Sequence, residues 1–267
     1  MSASPLVTVL LPVWNGASLP LTAEGEEPLR VAIRSLARQE AAPDVPVPDF
    51  EVLAVDDGSN DGTAALLDAL AAEYPCLRVL HRPHEGLPGA LNAGLESARG
   101  ALIARMDADD VCHPQRLALQ AAWMAEHPET GLLATRVHFG GDRETARGFA
   151  HFVDWQNGLL DHEAISRNRF RDTPVSHPSV MFRRELPRLH GGYADGFFAE
   201  DWELWLRWLH AGVRMAKLPQ ELLVWNDPPR RATRSDSRYC EAANNQLRAL
   251  WLARWLERHN PWHPRVY

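Results

Sequence analysis

The stretch "ALIARMDADD", residues 101–110, is an apolar run that ends in three aspartates within four positions. Ionised carboxylates at such short spacing repel one another, so their clustering after a predicted strand has an energetic cost. A hard cation such as Mg²⁺ or Mn²⁺ would remove that cost, because it prefers carboxylate, phosphate and water oxygens. If strand alternation continues past Met106, Arg105, Asp107 and Asp109 point to one side. The alternative is that the acids only end the strand and cap the next helix.

Similar apolar runs alternate with helical patterns along the chain. The predicted strands are 7–13, 50–56, 77–81, 101–106, 131–137 and 179–184. The predicted helices are 28–39, 61–73, 87–98, 114–126, one near 154–167, 200–211 and 238–258. Continuous apolar strands separated by helices predict an α/β fold with a Rossmann-like, mostly parallel central sheet flanked by helices. Ligands of such a fold bind at the carboxyl ends of the strands.

Composition limits the classes of function. The 267 residues are enough for one large α/β domain, and 28 Lys and Arg against 35 Asp and Glu give a net charge of −7. A broad nucleic-acid surface is therefore not expected. The three cysteines form no CxxC pair, the amino terminus lacks a basic signal region, and no apolar run is long enough to span a membrane. We expect a cytoplasmic protein without a transmembrane segment, and peripheral attachment to the inner face of the membrane stays open.

A second acidic turn, "VDDGSNDGT" at residues 55–63, also follows a predicted strand. Its glycines allow a tight turn, and Ser59 to Asp61 are typical of residues that cap the following helix. Asp57 is the acid left over for ligand binding.

Five separated motifs together resemble family 2 glycosyltransferases with the GT-A fold. They are "LLPVWNG" (10–16), "VDDGSNDGT" (55–63), "GLPGALNAGLESARG" (86–100) leading into "ARMDADD", "HPSVMFRRE" (177–185) and "EDWELWLR" (200–207). The resemblance implies a GT-A domain over 1–225. Its nucleotide-binding half is about 1–137 and its acceptor half about 138–225. A C-terminal loop and helix, 226–267, are expected to pack on that domain.

The resemblance also implies roles for individual residues in donor binding. Pro12 and Trp14 match the end of the family's first strand, which borders the nucleotide base, and Asp57 matches the aspartate that binds the base. Asp107 and Asp109 match the DxD pair. In that pair the first acid approaches the ribose or sugar, and the second holds a divalent cation, Mn²⁺ or Mg²⁺, on the diphosphate.

Asp201 matches the catalytic base of the family. An acceptor hydroxyl is a poor nucleophile until its proton is removed, so the reaction needs such a group. The implied reaction is a single displacement that inverts the anomeric carbon of a nucleotide sugar, with a UDP-sugar expected as donor. Taken alone, Glu200 and Asp201 could equally be acids favoured by the dipole at the start of a helix.

Other residues leave alternatives open. Arg105 is either a structural ion-pair partner or a donor to the diphosphate. Arg231 and Arg234 fit a lid over the diphosphate, because guanidinium groups bind phosphate oxygens well, but a solvated charge run is the alternative. His177 is more typical of a packing residue than of a ligand. Leu91 stands where many relatives carry arginine.

The expected function is sugar transfer to a glycan or lipid-linked glycan acceptor, in the synthesis of a surface polysaccharide or another glycan. No QxxRW signature of processive members is visible, which favours a single addition. Two alternatives stay open: a noncatalytic nucleotide-sugar-binding or scaffold protein, and a sugar nucleotidyltransferase. The second is disfavoured because the first strand is not followed by a basic glycine-rich loop.

Overall fold

The computed structural model describes residues 4–228 and 236–259; Arg231 and Arg234 lie outside this part of the chain. The strands are β1 (Val7–Val13), β2 (Phe50–Asp57), β3 (Leu77–Arg82), β4 (Leu102–Arg105), β5 (Val111–Cys112), β6 (Thr130–Phe139), β7 (Met181–Arg183) and β8 (Arg214–Trp225). The helices are α1 (Pro28–Ala37), α2 (Thr63–Glu73), α3 (Gly86–Ser97), α4 (Arg116–Glu126), α5 (Arg147–Asn157), α6 (His162–Asn168), α7 (Leu186–His190), α8 (Glu200–His210) and α9 (Glu241–His259). The predicted α/β fold is confirmed.

All the strands belong to one sheet with the order β3-β2-β1-β4-β7-β6-β8-β5. The pairings of β1 with β2 and β4, of β2 with β3, and of β6 with β8 are parallel. Strand β7 runs antiparallel to both β4 and β6, and β5 runs antiparallel to β8. The carboxyl ends of β1, β2, β4, β6 and β8 and the amino end of β7 therefore meet at one edge of the sheet.

The sheet is covered on both faces because its strands are apolar on both faces. Along β1, Val9 and Leu11 pack into the cluster that includes α1, α2, α4 and α5, while Leu10 packs into the cluster that includes α3 and α8. Leu91 is fully buried in this second cluster and is therefore a core residue. Each such leucine contributes roughly 1.5–3 kcal/mol relative to an exposed one.

The join at β7 is short, and buried side chains of α4 reinforce it. Strand β7 pairs with β4 over three residue pairs and with β6 over two. Arg116 donates to the carbonyl oxygens of Arg105 at 2.8 Å and Val180 at 3.3 Å. Gln120 donates to the carbonyl oxygens of Leu133 and Ser179, each at 3.0 Å. These side chains satisfy backbone groups where the strand ladder is interrupted.

The structure differs from the sequence prediction in the acceptor half. The single helix near 154–167 is wrong: α5 ends at Asn157 and α6 begins at His162. Asp161 caps α6 by accepting a hydrogen bond from the amide of Ala164 at 2.8 Å. Gly158 closes the end of α5 through its amide, so a turn replaces the expected continuous helix.

Strand β8 was not predicted, because charged residues and a proline interrupt its apolar pattern. Lys217 is buried within it, and its ammonium group donates to the carbonyl oxygens of Gln156 and, at 3.3 Å, Pro174. Burial lowers the pKa of Lys217 to about 7. A lysine is rarely buried in a strand, so the sequence pattern did not indicate one here.

No helix within residues 4–228 and 236–259 has the length and apolar character needed to cross a membrane. The long helix α9 packs instead along α8. Its Leu247 and Trp251 form a buried cluster with Trp202 and Leu206 of α8. The residues just before α9 are thereby brought next to the first turn of α8, where Tyr239 contacts Glu200.

Candidate active site

A cavity of about 420 Å³ opens at the strand edge where the carboxyl ends meet. The charged residues that line it come from the end of β4, from the segment after α6 and from the first turn of α8. They are Arg105, Asp107, Asp109, Asp172, Glu200 and Asp201. Phe149, Phe152 and Trp225 form an aromatic wall, with Phe149 edge-on to Trp225 at 5.1 Å between ring centroids. Predicted metal-binding and catalytic acids therefore share one cavity.

Three carboxylates gather in the turn after β4. One ligand oxygen from each of Asp107, Asp109 and Asp110 lies within 4.8 Å of the others. Strand β4 ends at Arg105, so this arrangement comes from a turn and not from the continued strand alternation that the sequence suggested. Three convergent carboxylates form the oxygen-only donor set that Mg²⁺ and Mn²⁺ prefer.

Asp110 gives a second indication that a cation fits this turn. It is almost fully buried, and one oxygen accepts from the amide of Asn226 at 2.8 Å. Its other oxygen, Oδ2, has no hydrogen-bond partner in the described part of the chain. Burial, with the charges of Asp107 and Asp109, raises the pKa of Asp110 well above its usual range. A bound cation would stabilise the ionised form, so the residues present fit the metal that the sequence resemblance implies.

Asn226 also holds the turn, since its side-chain amide donates to the carbonyl oxygen of Asp109 at 2.6 Å. The sequence analysis missed this residue because Asn226 lies far along the chain, directly after the unpredicted strand β8. Had β8 been recognised, Asn226 would have been a candidate site residue, because it lies at the carboxyl end of a strand.

Arg105 is the buried cation of the cavity. Its Nη2 lies 2.5 Å from Oδ1 of Asp107, so the two side chains meet although the strand ends between them. Burial alone would lower the pKa of Arg105, but the charge of Asp107 and its hydrogen bond, together with the nearby Glu200, outweigh burial and raise the pKa. Its Nε and Nη1 have no hydrogen-bond partner among the described residues. Buried N–H donors are rarely left unpaired, so this guanidinium can bind an anionic ligand while it keeps Asp107.

Asp201 and Glu200 occupy the first turn of α8 and face the cavity. The helix N-terminus favours ionised acids, but by only about 0.3–1 kcal/mol at typical sites. Burial is the larger effect here and, followed by the charge of Glu200, raises the pKa of Asp201 to about 7. Asp201 also accepts from the amide of Trp202 at 2.7 Å. A carboxylate with this pKa is matched to proton abstraction near neutral pH.

His177 lies at the amino end of β7, in a short 3₁₀ turn, and lines the same cavity. Its Nε2 is 2.8 Å from the hydroxyl of Tyr193, and its Nδ1 is 4.0 Å from Oε1 of Glu200. Burial, followed by the charge of Arg105, lowers the pKa of His177 well below its usual value. The imidazole is therefore neutral at pH 7, consistent with a packed residue that shapes the cavity wall.

The predicted base-binding residues form a separate cluster at the ends of β1 and β2. Trp14 is 57% exposed and stacks on His84 with ring centroids 4.9 Å apart. Asp57 is buried, and its two oxygens accept from the backbone amides of Glu85 at 3.0 Å and Gly86 at 2.8 Å, which fixes the start of α3. None of these residues lines the cavity.

The chain turns tightly between the base-binding cluster and α2. Gly58 has a φ of +67°, and a Cβ there would lie 2.6 Å from the amide nitrogen of His84. Only glycine combines this backbone conformation with so close an approach. Pro12 is buried within β1, where it pairs with Val55 of β2.

Comparison with known proteins identifies the family. The family model "Glycosyl transferase family 2" matches residues 8–187. The chain is 29% identical over 224 residues to "Amylovoran biosynthesis glycosyltransferase AmsE" of Erwinia amylovora, covering 82% of this chain and 75% of that protein. It is 27% identical over 197 residues to an Escherichia coli "UDP-Gal:alpha-D-GlcNAc-diphosphoundecaprenol beta-1,3-galactosyltransferase", covering 73% of this chain and 67% of that protein.

Solved structures show the same fold at lower identity. S. aureus TarS 1-349 in complex with UDP-GlcNAc superposes with a TM-score of 0.66 at 18% identity, over 94% of this chain and 72% of that one. The mannosyltransferase PcManGT from Pyrobaculum calidifontis, in complex with GDP-Man and Mn2+, superposes with a TM-score of 0.64 at 20% identity, over 96% of this chain and 70% of that one. The predicted GT-A fold is thus confirmed. With the family model matching most of its length and a cavity of carboxylates at the expected strand edge, the chain belongs to glycosyl transferase family 2 and is a glycosyltransferase.

Proposed function

We propose that the protein transfers a sugar from a UDP-sugar to an acceptor hydroxyl, with inversion at the anomeric carbon and with help from a divalent cation. The observation that carries this proposal is the single cavity lined by Asp107, Asp109 and Asp201. A displacement needs one group at the leaving diphosphate and another at the attacking hydroxyl. This cavity supplies acids from two separate elements for those two tasks.

Asp107 and Asp109 would hold the cation, and Asp110 would add charge to the same turn. When bound, Mn²⁺ or Mg²⁺ supplies positive charge that offsets the charge developing on the leaving diphosphate. Arg105 supports the same end of the reaction. Its Nε and Nη1, which have no partner in the described segments, can donate to phosphate oxygens from a fixed, buried position, because Asp107 holds the guanidinium.

Asp201 acts at the acceptor end. Its carboxylate takes the proton of the acceptor hydroxyl as the oxygen attacks the anomeric carbon, and the sugar–phosphate bond breaks on the other face. One proton moves to Asp201 and one bonding pair leaves with the diphosphate, so no covalent sugar–enzyme intermediate is needed. Attack from the face opposite the leaving group inverts the configuration.

The base of the donor would bind beside Trp14 and Asp57. Trp14 is exposed and already stacked on one face, so its other surface is available to an aromatic base. Asp57 still has lone pairs, since each carboxylate oxygen can accept more than one hydrogen bond. Leu87, next to Gly86 in α3, lines the cavity and links the two regions.

The acceptor class is proposed from the relatives. Their names specify amylovoran biosynthesis and transfer to a GlcNAc-diphosphoundecaprenol. We propose a glycan or lipid-linked glycan acceptor in polysaccharide synthesis. The aromatic wall of Phe149, Phe152 and Trp225 suits such an acceptor, because sugar rings pack on aromatic faces through their apolar C–H surfaces.

The first test is nucleotide binding followed by turnover. We expect UDP with Mn²⁺ to raise the melting temperature more than UDP with a chelator, because a ligand that binds only the folded state stabilises it. A panel of UDP-, GDP- and dTDP-sugars with glycan acceptors should then release nucleoside diphosphate, and the product's anomeric configuration can be read by NMR. Nucleotide binding without turnover across the panel would favour a binding protein and contradict the proposal.

The pH dependence of the reaction gives a second prediction. Asp201 must be deprotonated to act as a base, and burial raises its pKa to about 7. We therefore expect kcat/KM to be level above about pH 7 and to fall about tenfold for each pH unit well below it. An initial-rate profile at saturating Mn²⁺, with metal binding checked at each pH, measures this fall at low pH, which is the acid limb of the profile. A profile that stays flat down to pH 5 would contradict the assignment.

A further inference from the structure

The C-terminal segment, residues 236–259, reaches the active-site cavity. Tyr239 ends a short 3₁₀ turn ahead of α9, and both it and Asn244 line the cavity. The family model ends at residue 187, and the motif resemblance ends before this segment. The position of Tyr239 is therefore a property of this chain's structure that the family match does not supply.

The hydroxyl of Tyr239 donates to Oε2 of Glu200 at 2.7 Å. Glu200 is 3% exposed, so its carboxylate has lost most of its hydration. The imidazole of His177, 4.0 Å away, is neutral and gives it no full positive charge. Burial raises the pKa of Glu200, and the hydrogen bond from Tyr239 is the largest effect acting against that rise. Tyr239 thus favours the ionised form of Glu200 more than the more distant charges of Arg105 and Arg238 do.

Tyr239 is held in place from two sides. Its ring packs against the cluster in which Leu247 and Trp251 of α9 meet Trp202 of α8. Its amide donates to the carbonyl oxygen of Asp236 at 3.1 Å. Burial and the charge of Glu200 raise the pKa of Tyr239, so the phenol stays protonated and remains a donor at neutral pH.

Several charged or titratable groups face Asp201 from the elements around it. Glu200 precedes it on α8, Arg105 approaches from β4, and Asp172 approaches from the segment after α6. Tyr239 and Arg238 face Glu200 from the C-terminal segment. Glu200 has the largest influence on Asp201 after burial itself, and its charge makes Asp201 a stronger base.

We propose that Tyr239 is a positioning residue that keeps Glu200 ionised beside Asp201, so that the C-terminal segment sets the strength of the catalytic base. The inference rests on the proposed role of Asp201. Tyr239 itself exchanges no proton with the acceptor. It acts through Glu200, whose negative charge disfavours a second negative charge on Asp201 and so increases the affinity of Asp201 for the acceptor proton.

The test uses the full chain and the donor from the panel that releases nucleoside diphosphate fastest. Tyr239→Phe removes one hydroxyl and keeps the ring. We expect it to shift the acid limb of kcat/KM to lower pH by roughly half a unit to one unit, because a hydrogen bond to a charged group is worth about 1.5–3 kcal/mol, of which only part reaches Asp201. Glu200→Gln should shift the limb in the same direction and by at least as much.

The double variant Tyr239→Phe/Glu200→Gln decides whether Tyr239 acts through Glu200. We expect its acid limb to coincide with that of Glu200→Gln. Once Glu200 is replaced, the Tyr239 hydroxyl has no carboxylate charge to stabilise, so its removal should have no further effect. Tyr193→Phe, which removes a hydroxyl bonded to His177 instead, should leave the limb in place. Melting temperatures and the Kd for UDP with Mn²⁺ report the folding of each variant.

Two results would overturn the inference. Loss of activity in Tyr239→Phe without a shift of the limb would mean a structural role only, and a further shift in the double variant would mean a route other than Glu200. Failure of the proposed function is distinguishable, because it would show as full turnover in Asp201→Asn. If Tyr239→Phe does not fold, a Glu200→Gln limb unchanged from wild type also overturns the inference.

Discussion

Replacement of Asp201 by asparagine is expected to lower kcat by about 10²- to 10⁴-fold while nucleotide binding is kept. The amide has the same shape and its oxygen can still accept from the amide of Trp202, but it cannot take a proton. The acceptor hydroxyl would then have to attack while still protonated. The measurement is release of nucleoside diphosphate under saturating donor, acceptor and Mn²⁺, with the Kd for UDP determined separately.

Asp172→Asn is the matched comparison, because Asp172 is another partly buried acid that lines the same cavity. We expect it to retain most of the turnover. A loss of kcat of about 10²- to 10⁴-fold in Asp172→Asn, with Asp201→Asn still active, would mean that the base is Asp172. Equal losses in both variants with unchanged UDP affinity would show that neither carboxylate acts alone.

Replacement of Asp109 by asparagine is expected to remove the effect of Mn²⁺ on both binding and turnover. One carboxylate fewer leaves the turn after β4 with less charge and a weaker ligand for a hard cation. Charge stabilisation by a metal is worth several kcal/mol at the transition state, so we expect a loss of at least about 10²-fold in kcat/KM. Titration with Mn²⁺, followed by UDP-induced thermal shift, measures the two effects separately.

Glu163→Gln is the control for Asp109→Asn, because it also removes one negative charge but lies on the exposed surface of α6, paired only with Arg167 among the described residues. It should leave the Mn²⁺ titration unchanged. Full retention of Mn²⁺-dependent UDP binding in both Asp109→Asn and Asp107→Asn would mean that the metal site is not formed by this turn.

The parts of the fold that sequence predicted are those encoded locally. Strands β1, β2 and β4 are continuous apolar runs that end in acids or turn residues, so their ends and the acids that follow could be placed before the structure was known. Asp107, Asp109 and Asp201 are brought to one cavity because parallel strands align their carboxyl ends, and α8 begins at the same edge.

What sequence could not provide depends on contacts between distant segments. Lys217 obscured β8, because its buried ammonium is satisfied by carbonyl groups of other elements. Asn226 reaches Asp110 across 116 positions, and Tyr239 reaches Glu200 across 39. No periodicity marks such pairs. The sequence predicted that the C-terminal helix packs on the domain but not where, since an amphipathic helix can cover many surfaces.

The short join at β7 has a mechanical consequence for the reaction. The acids proposed to hold the leaving group follow β4 on one side of this join, and β6 and β8 lie on the other. Few ladder bonds cross the join, and Arg116 and Gln120 add hydrogen bonds from α4 to backbone groups on both sides. Helix α4, though remote from the cavity acids, thus helps to hold the two parts of the sheet at one separation, so that a substitution on α4 could disturb the cavity without touching it.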